Sequence, residues 1–253
     1  MSSLQILSPN PVARPPWTKM GKTLESACRK AIFDFNLIDA SDKKIAIALS
    51  GGKDSLTLLF LLHAMQGRGL PPFEIHALTV SGEFSCGPAI TEQYLKKVCH
   101  ELGVPLHILR AEGAPKECYG CSRTRRFLLF QKSRELGISK IAFGHHKDDS
   151  IQTLLLNLFH KGEFAANLAK MPMEHFGITI IRPLIYIQEA QIIAFAKLYG
   201  FQRITCQCPI GANSKRARVK KMIESIETEF PNLRNNLSIA SLLYGSQKAL
   251  RKP

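Results

Sequence analysis

Apolar positions along the chain follow two different periods. Short runs rich in Ile, Ala and Val predict buried β-strands, and longer stretches with apolar residues three or four apart predict helices. Strands are predicted at 44–50, 74–80, 104–109, 140–143 and 178–182, and helices at 23–38, 56–65, 90–102, 123–136, 149–159, 188–199 and 215–229. Because strands and helices alternate, we expect an α/β fold in which a doubly wound parallel sheet is joined by right-handed crossovers.

Composition divides the chain into three parts. Residues 1–22 are rich in proline and carry basic but no acidic side chains, which predicts a loose basic N-terminal arm. Residues 23–201 hold the alternating strands and helices. Residues 202–253 are predicted to form a basic C-terminal helical region.

A glycine-rich hexamer, Ser50-Gly51-Gly52-Lys53-Asp54-Ser55, separates the first predicted strand from the next helix. Glycines let the backbone approach an anion closely, and a helix N-terminus offers free N–H groups and a positive dipole end. Lys53 adds a full positive charge, while Asp54 has oxygens that either bind Mg²⁺ or cap the helix. Ligands of such sheets bind outside the carboxyl ends of the strands, so the hexamer predicts a phosphate-binding loop.

A second polar segment, GHHKDD at 144–149, also follows a predicted strand and precedes a helix. Two interpretations fit this segment. In one, Asp149 only caps the helix and the histidines are polar surface residues. In the other, the segment resembles the G-H-x-x-D-D element of PP-loop enzymes that modify tRNA, which implies that Asp148 and Asp149 lie near the magnesium ion or the adenylated base.

The seven cysteines include a C-x-x-C pair, Cys118 and Cys121, and a C-x-C pair, Cys206 and Cys208. In a reducing compartment such pairs are typical of metal or redox sites rather than of structural disulfides. The spacing is compatible with a metal cluster, with a structural zinc held by all four thiolates, and with a dithiol redox couple.

Charge points to a polyanionic partner. The chain has 34 Lys+Arg against 20 Asp+Glu, a net charge of +14 and a pI of about 9.6. Nucleic acid and an anionic membrane are the usual partners of such a surface. No apolar window is long enough for a transmembrane helix and no secretory signal is visible, so we expect a cytosolic protein.

Two basic runs, 116–134 and 202–221, lie beside the two cysteine pairs and favour contacts with a phosphate backbone. The candidate residues for these contacts are Arg123, Arg125, Arg126, Lys215, Arg216, Arg218, Lys220 and Lys221.

Four segments together resemble one family. They are SGGKDS at 50–55, GHHKDD at 144–149, CYGCSRTRR at 118–126 and CPIGANSKRARVKKM at 208–222. The resemblance is to the TtcA family, the tRNA cytidine 2-sulfurtransferases of the PP-loop ATP pyrophosphatase superfamily, and it runs from about Lys22 to Met222. It implies the PP-loop fold and cleavage of ATP between its α- and β-phosphates. It also implies thiolation at C2 of a cytidine in the tRNA anticodon loop.

The resemblance assigns roles to individual residues. A [4Fe–4S] cluster would be held by Cys118, Cys121 and Cys208, with Cys206 as the rival third ligand. ATP, with Mg²⁺, would contact Ala48, Leu49, Ser50, Gly51, Gly52, Lys53, Asp54, Ser55, Thr79, Val80 and Gly144. The expected catalytic residues are Lys53, Asp54, Arg125, Asp148 and Asp149.

The implied partners are tRNA, a sulfur donor such as a cysteine desulfurase, and by analogy a second copy of the chain. Two alternatives stay open at this point. One is another tRNA-adenylating PP-loop enzyme, which thiolates uridine or uses an amine nucleophile. The other is a zinc-containing RNA-binding protein without catalysis.

Overall fold

The computed structural model describes residues 12–82, 88–111, 118–200 and 215–245. The strands in these ranges are β1 (Lys44–Ala48), β2 (Glu74–Ser81), β3 (Leu106–Arg110), β4 (Lys140–Ala142), β5 (Lys170–Met173) and β6 (Ile178–Ile181). The helices are α1 (Lys19–Asp34), α2 (Lys53–Met65), α3 (Pro88–Leu102), α4 (Cys118–Glu135), α5 (Lys147–Lys161), α6 (Glu189–Leu198), α7 (Lys215–Glu229) and α8 (Leu233–Tyr244).

The six strands form one sheet in the order β3-β2-β1-β4-β6-β5. All neighbouring pairs are parallel except β5 and β6, which pair antiparallel. The predicted α/β fold with a doubly wound parallel sheet is therefore confirmed. Strand β5, a four-residue edge strand that contains Pro172, was not predicted from the sequence. Proline is tolerated at such an edge, but it hides the strand from pattern analysis.

The central strand β1 is buried on both faces, as expected for a strand covered by helices on each side. Ile45 and Ile47 pack into the larger core with α1, α2, α3 and α6, whereas Ala46 faces the smaller core beneath α4. Both cores therefore hold β1 in place, and with it the loop that begins where β1 ends.

Helix α2 fixes the other end of that loop. Ten of its 13 residues are buried, and Phe60 is 1% exposed. The helix begins at Lys53 rather than at residue 56, because its polar first turn does not belong to the apolar pattern that predicts it. The same holds for α5, which begins at Lys147. The polar motif residues are thus held on rigid helical turns.

The N-terminal segment is packed where the structure describes it. Ala13 and Trp17 are 2% and 7% exposed, and the Trp17 ring lies 5.8 Å from the ring of Phe195 on α6. Thr18 then caps α1 by accepting a hydrogen bond from the N–H of Gly21 at 3.3 Å. Residues 12–22 therefore differ from the loose arm that proline content suggested, because Trp17 supplies an apolar anchor.

Helices α7 and α8 pack against α5 and form a small core of their own. Val219 and Ile223 on α7 are buried against Ile151 and Leu155 on α5. This packing fixes the rotation of α7 about its axis and brings the first turns of α7 to the carboxyl edge of the sheet. Within the described ranges, no helix is both long enough and apolar enough to cross a membrane.

Candidate active site

A pocket of about 280 Å³ lies where the β1–α2 and β4–α5 connections meet α6 and α7. Its lining consists almost entirely of charged and polar side chains, and it includes the phosphate-loop lysine. The residues that line it are Lys53, Asp54, His146, Asp149, Gln152, Glu189, Arg216, Ala217 and Lys220.

The glycine-rich loop is closed by its own serines. The Ser55 hydroxyl donates to the carbonyl oxygen of Gly52 at 3.0 Å and accepts from the N–H of Ser50 at 3.2 Å. Ser55 is 5% exposed, so its hydroxyl braces the loop from inside. Gly51 has a φ of 83°, a conformation that favours glycine, and Gly52 occupies the N-cap of α2. A glycine at the N-cap leaves the first turn of α2 open to an anion.

Gly144 holds the two predicted loops together. A Cβ at this position would lie 2.9 Å from the carbonyl carbon of Asp54 and 3.0 Å from the nitrogen of Ser55. Only glycine permits so close an approach of the β4–α5 connection to the first turn of α2. Gly144 was predicted to lie near the nucleotide, and the structure places its backbone against the phosphate loop.

Lys53 is held by two carboxylates. Its Nζ lies 2.9 Å from Asp54 Oδ1 and 3.2 Å from Glu189 Oε1. Burial opposes its charge, but the nearby Asp54 and Glu189 carboxylates raise its pKa above the usual range. Lys53 is therefore a fixed cation at the mouth of the phosphate loop.

Glu189 bridges two lysines. Its second oxygen, Oε2, accepts a hydrogen bond from Lys220 Nζ at 2.8 Å. Burial opposes ionisation, but Lys220 and Lys53 lower the pKa of the Glu189 carboxyl to about 2. Glu189 was not predicted as a site residue, because in sequence it is an ordinary acidic residue in the first turn of a helix.

Asp149 and His146 also line the pocket. Asp149 Oδ1 accepts from Arg216 Nη1 at 2.8 Å, and Oδ2 accepts from the N–H of His146 at 3.1 Å. His146 is 3% exposed, with Nε2 3.4 Å from Asp149 Oδ2 and 3.7 Å from Asp54 Oδ1. Its Nδ1 is buried and has no hydrogen-bond partner in the described part of the chain. His146 was not predicted as a site residue, although it belongs to the GHHKDD segment.

Asp148 does not line the pocket. One of its oxygens accepts from the backbone N–H of Glu189 at 2.7 Å, and the other is paired with Arg234 on α8. Arg234 also donates to Glu227 on α7 at 2.7 Å. Through these contacts Asp148 links α5 to α6 and α8. They differ from the metal or substrate contact that was expected from the sequence.

The strand ends that were expected near adenosine lie at the same edge of the sheet. Ala48 and Val80 are half-buried, whereas Leu49 and Thr79 are 1% and 6% exposed. The Leu49 side chain belongs to the core, so only its backbone is available to a ligand.

A pair of basic side chains, the buried Arg182 and the half-buried His145, lies beside the site and was not predicted from the sequence. Arg182 follows β6, is 5% exposed, and donates from Nε to His145 Nδ1 at 3.4 Å. Burial, together with the charge of Arg126, lowers the pKa of Arg182 to about 10. Burial and the Arg182 charge lower the pKa of His145 to about 3, so this imidazole is neutral near pH 7.

The cysteines are described only in part. Cys118 and Cys121 lie in the first turn of α4, three residues apart, rather than in a turn before a helix that begins at residue 123. Their side chains, and all of Cys206 and Cys208, lie outside the described part of the structure. The described residues contain no group of three or more His, Cys, Asp or Glu side chains arranged to hold a metal ion. Cys28 and Cys99 are core residues, and burial raises the pKa of Cys99 to about 12.

The basic candidates of α7 fall on two faces of the helix. Arg216 and Lys220, one turn apart, line the pocket with side chains that are 44% and 42% exposed, whereas Lys215, Arg218 and Lys221 are exposed and do not line it. On α4, Arg123 is exposed, and Arg125 and Arg126 are half-buried.

A protein family and several known proteins are similar to this chain in sequence. Residues 20–225 match the family described as the PP-loop domain. The tRNA-cytidine(32) 2-sulfurtransferase of Geobacter sulfurreducens is 36% identical over 225 residues, which cover 85% of this chain and 87% of that protein. The protein of the same name from Bordetella avium is 37% identical over 231 residues, 87% of this chain and 72% of that protein.

Two solved structures share the fold. The U34-tRNA thiolase NcsA from Methanococcus maripaludis, solved with its [4Fe-4S] cluster, has a TM-score of 0.73 and 23% identity over 87% of this chain and 78% of that chain. The NH3-dependent NAD synthetase from Campylobacter jejuni has a TM-score of 0.50 and 17% identity over 93% and 98% of the two chains.

The family match spans most of the chain, and the sequence relatives are similar along most of their own length. The resemblance that the four motifs indicated is confirmed. This chain belongs to the PP-loop domain family and, within it, to the tRNA-cytidine(32) 2-sulfurtransferases.

Proposed function

We propose that this protein uses ATP to convert a cytidine of the tRNA anticodon loop, position 32, to 2-thiocytidine. The observation that carries the proposal is the pocket that joins Lys53 at the open N-terminus of α2 to the carboxylates of Asp54 and Asp149. Such a set binds a polyphosphate through the helix end and the lysine, and a divalent cation through the carboxylates.

The reaction has two steps. The C2 oxygen of cytidine attacks the α-phosphorus of ATP, and pyrophosphate leaves as the bond to the β-phosphate breaks. A sulfur nucleophile then forms a bond to C2, and AMP leaves with the former C2 oxygen. Lys53 and the first-turn N–H groups of α2 stabilise the negative charge that grows on the departing pyrophosphate.

The carboxylates fit a magnesium ion. Asp54 and Asp149 both line the pocket and offer the oxygen ligands that this hard cation prefers. Each is paired with a basic side chain, Asp54 with Lys53 and Asp149 with Arg216. Binding of Mg²⁺ to these carboxylates would free the basic side chains for phosphate. Mg²⁺ would supply charge neutralisation for pyrophosphate release.

The experiment compares Lys53→Ala with Lys44→Ala, which removes an exposed lysine at the opposite end of β1. Lys53→Ala should abolish tRNA-dependent pyrophosphate release and 2-thiocytidine formation, measured by nucleoside mass spectrometry, with an unchanged urea unfolding midpoint. Lys44→Ala should retain both activities. Pyrophosphate release that survives in Lys53→Ala would contradict the phosphate-loop assignment.

The sulfur site is proposed to be a [4Fe–4S] cluster on Cys118, Cys121 and Cys208. Two cysteines three residues apart in a helix suit one metal cluster, and the helix N-terminus stabilises the negative charge of their thiolates. Three cysteines on four irons would leave one iron open to sulfide.

Matched serine variants test this ligand set. Cys118→Ser, Cys121→Ser and Cys208→Ser, purified without oxygen, should each lose iron, labile sulfide and thiolation, whereas Cys206→Ser should keep them. Bound zinc that requires all four cysteines would contradict the cluster. Adenylation that continues with an amine nucleophile, independent of the cysteines, would identify a ligase instead.

The tRNA surface is proposed to comprise basic residues of α4 and α7 that do not line the pocket: Arg123, Arg126, Lys215, Arg218 and Lys221. Arg125 remains a proposed catalytic residue. Affinity for tRNA should fall steeply with salt, and Lys221→Met should reduce the slope of log affinity against log salt by about one. An affinity that does not change with salt would remove phosphate contacts from the proposal.

The remaining proposed partners are a cysteine desulfurase that supplies sulfur in the cytosol and a second copy of the chain. Light scattering of the purified protein tests the dimer. Thiolation with cysteine and a desulfurase, compared with free sulfide, tests the donor.

A further inference from the structure

Helix α7 forms one wall of the pocket. Arg216, Ala217 and Lys220 line the pocket and lie on one face, as residues three and four apart on a helix do. Val219 and Ile223 are buried against α5, so the packing of α7 directs this face toward the pocket.

The Lys220 side chain is held beside Lys53. Its Nζ lies 2.8 Å from Glu189 Oε2, while Lys53 Nζ lies 3.2 Å from Glu189 Oε1. Without the Glu189 carboxylate between them, the ammonium groups of Lys53 and Lys220 would repel each other. The contact joins α2, α6 and α7, so the two lysines occupy one pocket although their helices are far apart in sequence.

The charge of the pocket also requires cations from α7. The lining has three carboxylates, Asp54, Asp149 and Glu189, and three basic side chains, of which Lys53 alone belongs to the phosphate loop. With Lys53 as its only cation, the lining would be net negative and would repel a polyphosphate. The other two basic side chains, Arg216 and Lys220, both come from α7.

We propose that Lys220 is a second phosphate-binding lysine of the ATP pocket, and that Glu189 is a positioning residue that holds it beside Lys53. The inference rests on the proposed use of ATP. It gives Lys220 a different role from its neighbour Lys221, which does not line the pocket, although the sequence placed both in one tRNA-binding run.

Binding of α,β-methylene-ATP in the absence of tRNA, measured by calorimetry with Mg²⁺, tests the role of Lys220. Lys220→Met should weaken binding by about 10- to 100-fold, the usual effect of losing a hydrogen bond between charged groups. AMP lacks the β- and γ-phosphates, so its affinity should stay the same. Lys221→Met should bind the analogue like the unmodified protein and should weaken only tRNA binding.

Glu189→Gln separates positioning from folding. Loss of one carboxylate should leave analogue affinity unchanged or higher, whereas pyrophosphate release at saturating ATP should slow by about tenfold or more, because the two lysines lose their fixed places. Glu189→Asp keeps the charge and should recover part of the rate. A purely structural role would instead lower the urea midpoint and leave this rate unchanged.

The outcomes are distinguishable. If the unmodified protein does not bind the analogue, the proposed function fails. If Lys53→Ala loses binding while Lys220→Met binds normally, the inference alone is overturned. If Lys220→Met and Lys221→Met weaken tRNA binding equally and leave analogue binding intact, both lysines belong to the tRNA surface and the inference is again wrong.

Discussion

Gly144→Ala tests whether the phosphate loop is held in place by the neighbouring β4–α5 connection. The added Cβ would lie 2.9 Å from the Asp54 carbonyl carbon, 3.0 Å from its oxygen and 3.0 Å from the Ser55 nitrogen, whereas ordinary contacts begin at 3.4 Å. All three atoms are backbone, so no side chain can rotate away. One of the two segments must therefore move by about 0.5 Å, from 2.9 to 3.4 Å.

Overpacking of this kind costs about 1–3 kcal/mol of unfolding free energy. If the loop is the segment that moves, its N–H groups shift relative to the phosphates, and ATP affinity should fall by about tenfold or more. Urea unfolding measures the loss of stability, and calorimetry with α,β-methylene-ATP in the absence of tRNA measures the loss of nucleotide affinity.

Gly52→Ala is the matched control for stability. A Cβ there meets only the Ser50 hydroxyl, at 3.5 Å, and Gly52 has a φ of −74° that alanine adopts without strain. Its unfolding free energy should change by no more than about 0.5 kcal/mol. The packing argument is refuted if Gly144→Ala matches the unmodified protein in both stability and ATP affinity.

Three further predictions concern ion pairs, pH and metal. Arg234→Met leaves the buried Asp148 carboxylate without its basic partner and should lower the free energy of urea unfolding by about 1–3 kcal/mol. Glu227→Gln removes the more exposed partner of Arg234 and should lower it by less than about 1 kcal/mol. Equal losses would contradict the inference that burial of Asp148 makes its ion pair the more important one. Burial lowers the pKa of His107, as do His76 and Lys132, so near pH 6 the unfolded chain binds more protons than the folded chain and stability should decline as pH falls below about 6.5. Urea unfolding at pH 7 and pH 5.5 should show a smaller decline in stability for His107→Gln than for the unmodified protein. Identical declines would refute this role of His107. Removal of Mg²⁺ with EDTA should weaken binding of α,β-methylene-ATP by about tenfold or more, because the carboxylates would stay paired with the basic side chains; metal-independent affinity would exclude them as Mg²⁺ ligands.

Local patterns predicted the centre of the fold well. The strand that ends in the SGGKDS loop, the helix after it and the second strand–loop–helix unit each combine a short-range apolar pattern with a motif of contiguous residues. Parallel topology then places both loops at one edge of the sheet without further information. The side-by-side contact between Gly144 and α2 follows from neighbouring strands β1 and β4.

The ion pairs that complete the site could not be predicted in this way. Arg216 and Asp149 are 67 residues apart, Lys220 and Glu189 are 31 apart, and Arg234 and Asp148 are 86 apart. Each pair exists only because α7 and α8 pack on α5, and no periodicity specifies that packing. From sequence, basic residues on α7 all look like one charged run.

The near balance of charge in the pocket has a physical reason. A protein with a net charge of +14 gains nothing from an uncompensated cluster of cations, because mutual repulsion would push the lysines out toward water. The carboxylates of Asp54, Asp149 and Glu189 prevent this, and they keep Lys53 charged despite its burial. ATP and Mg²⁺ together offer each of these groups a new partner of opposite charge, whereas ATP alone competes with three carboxylates. Ion pairing within the pocket would therefore favour the metal–nucleotide complex over either component, and it would do so with side chains from four helices that already hold their positions.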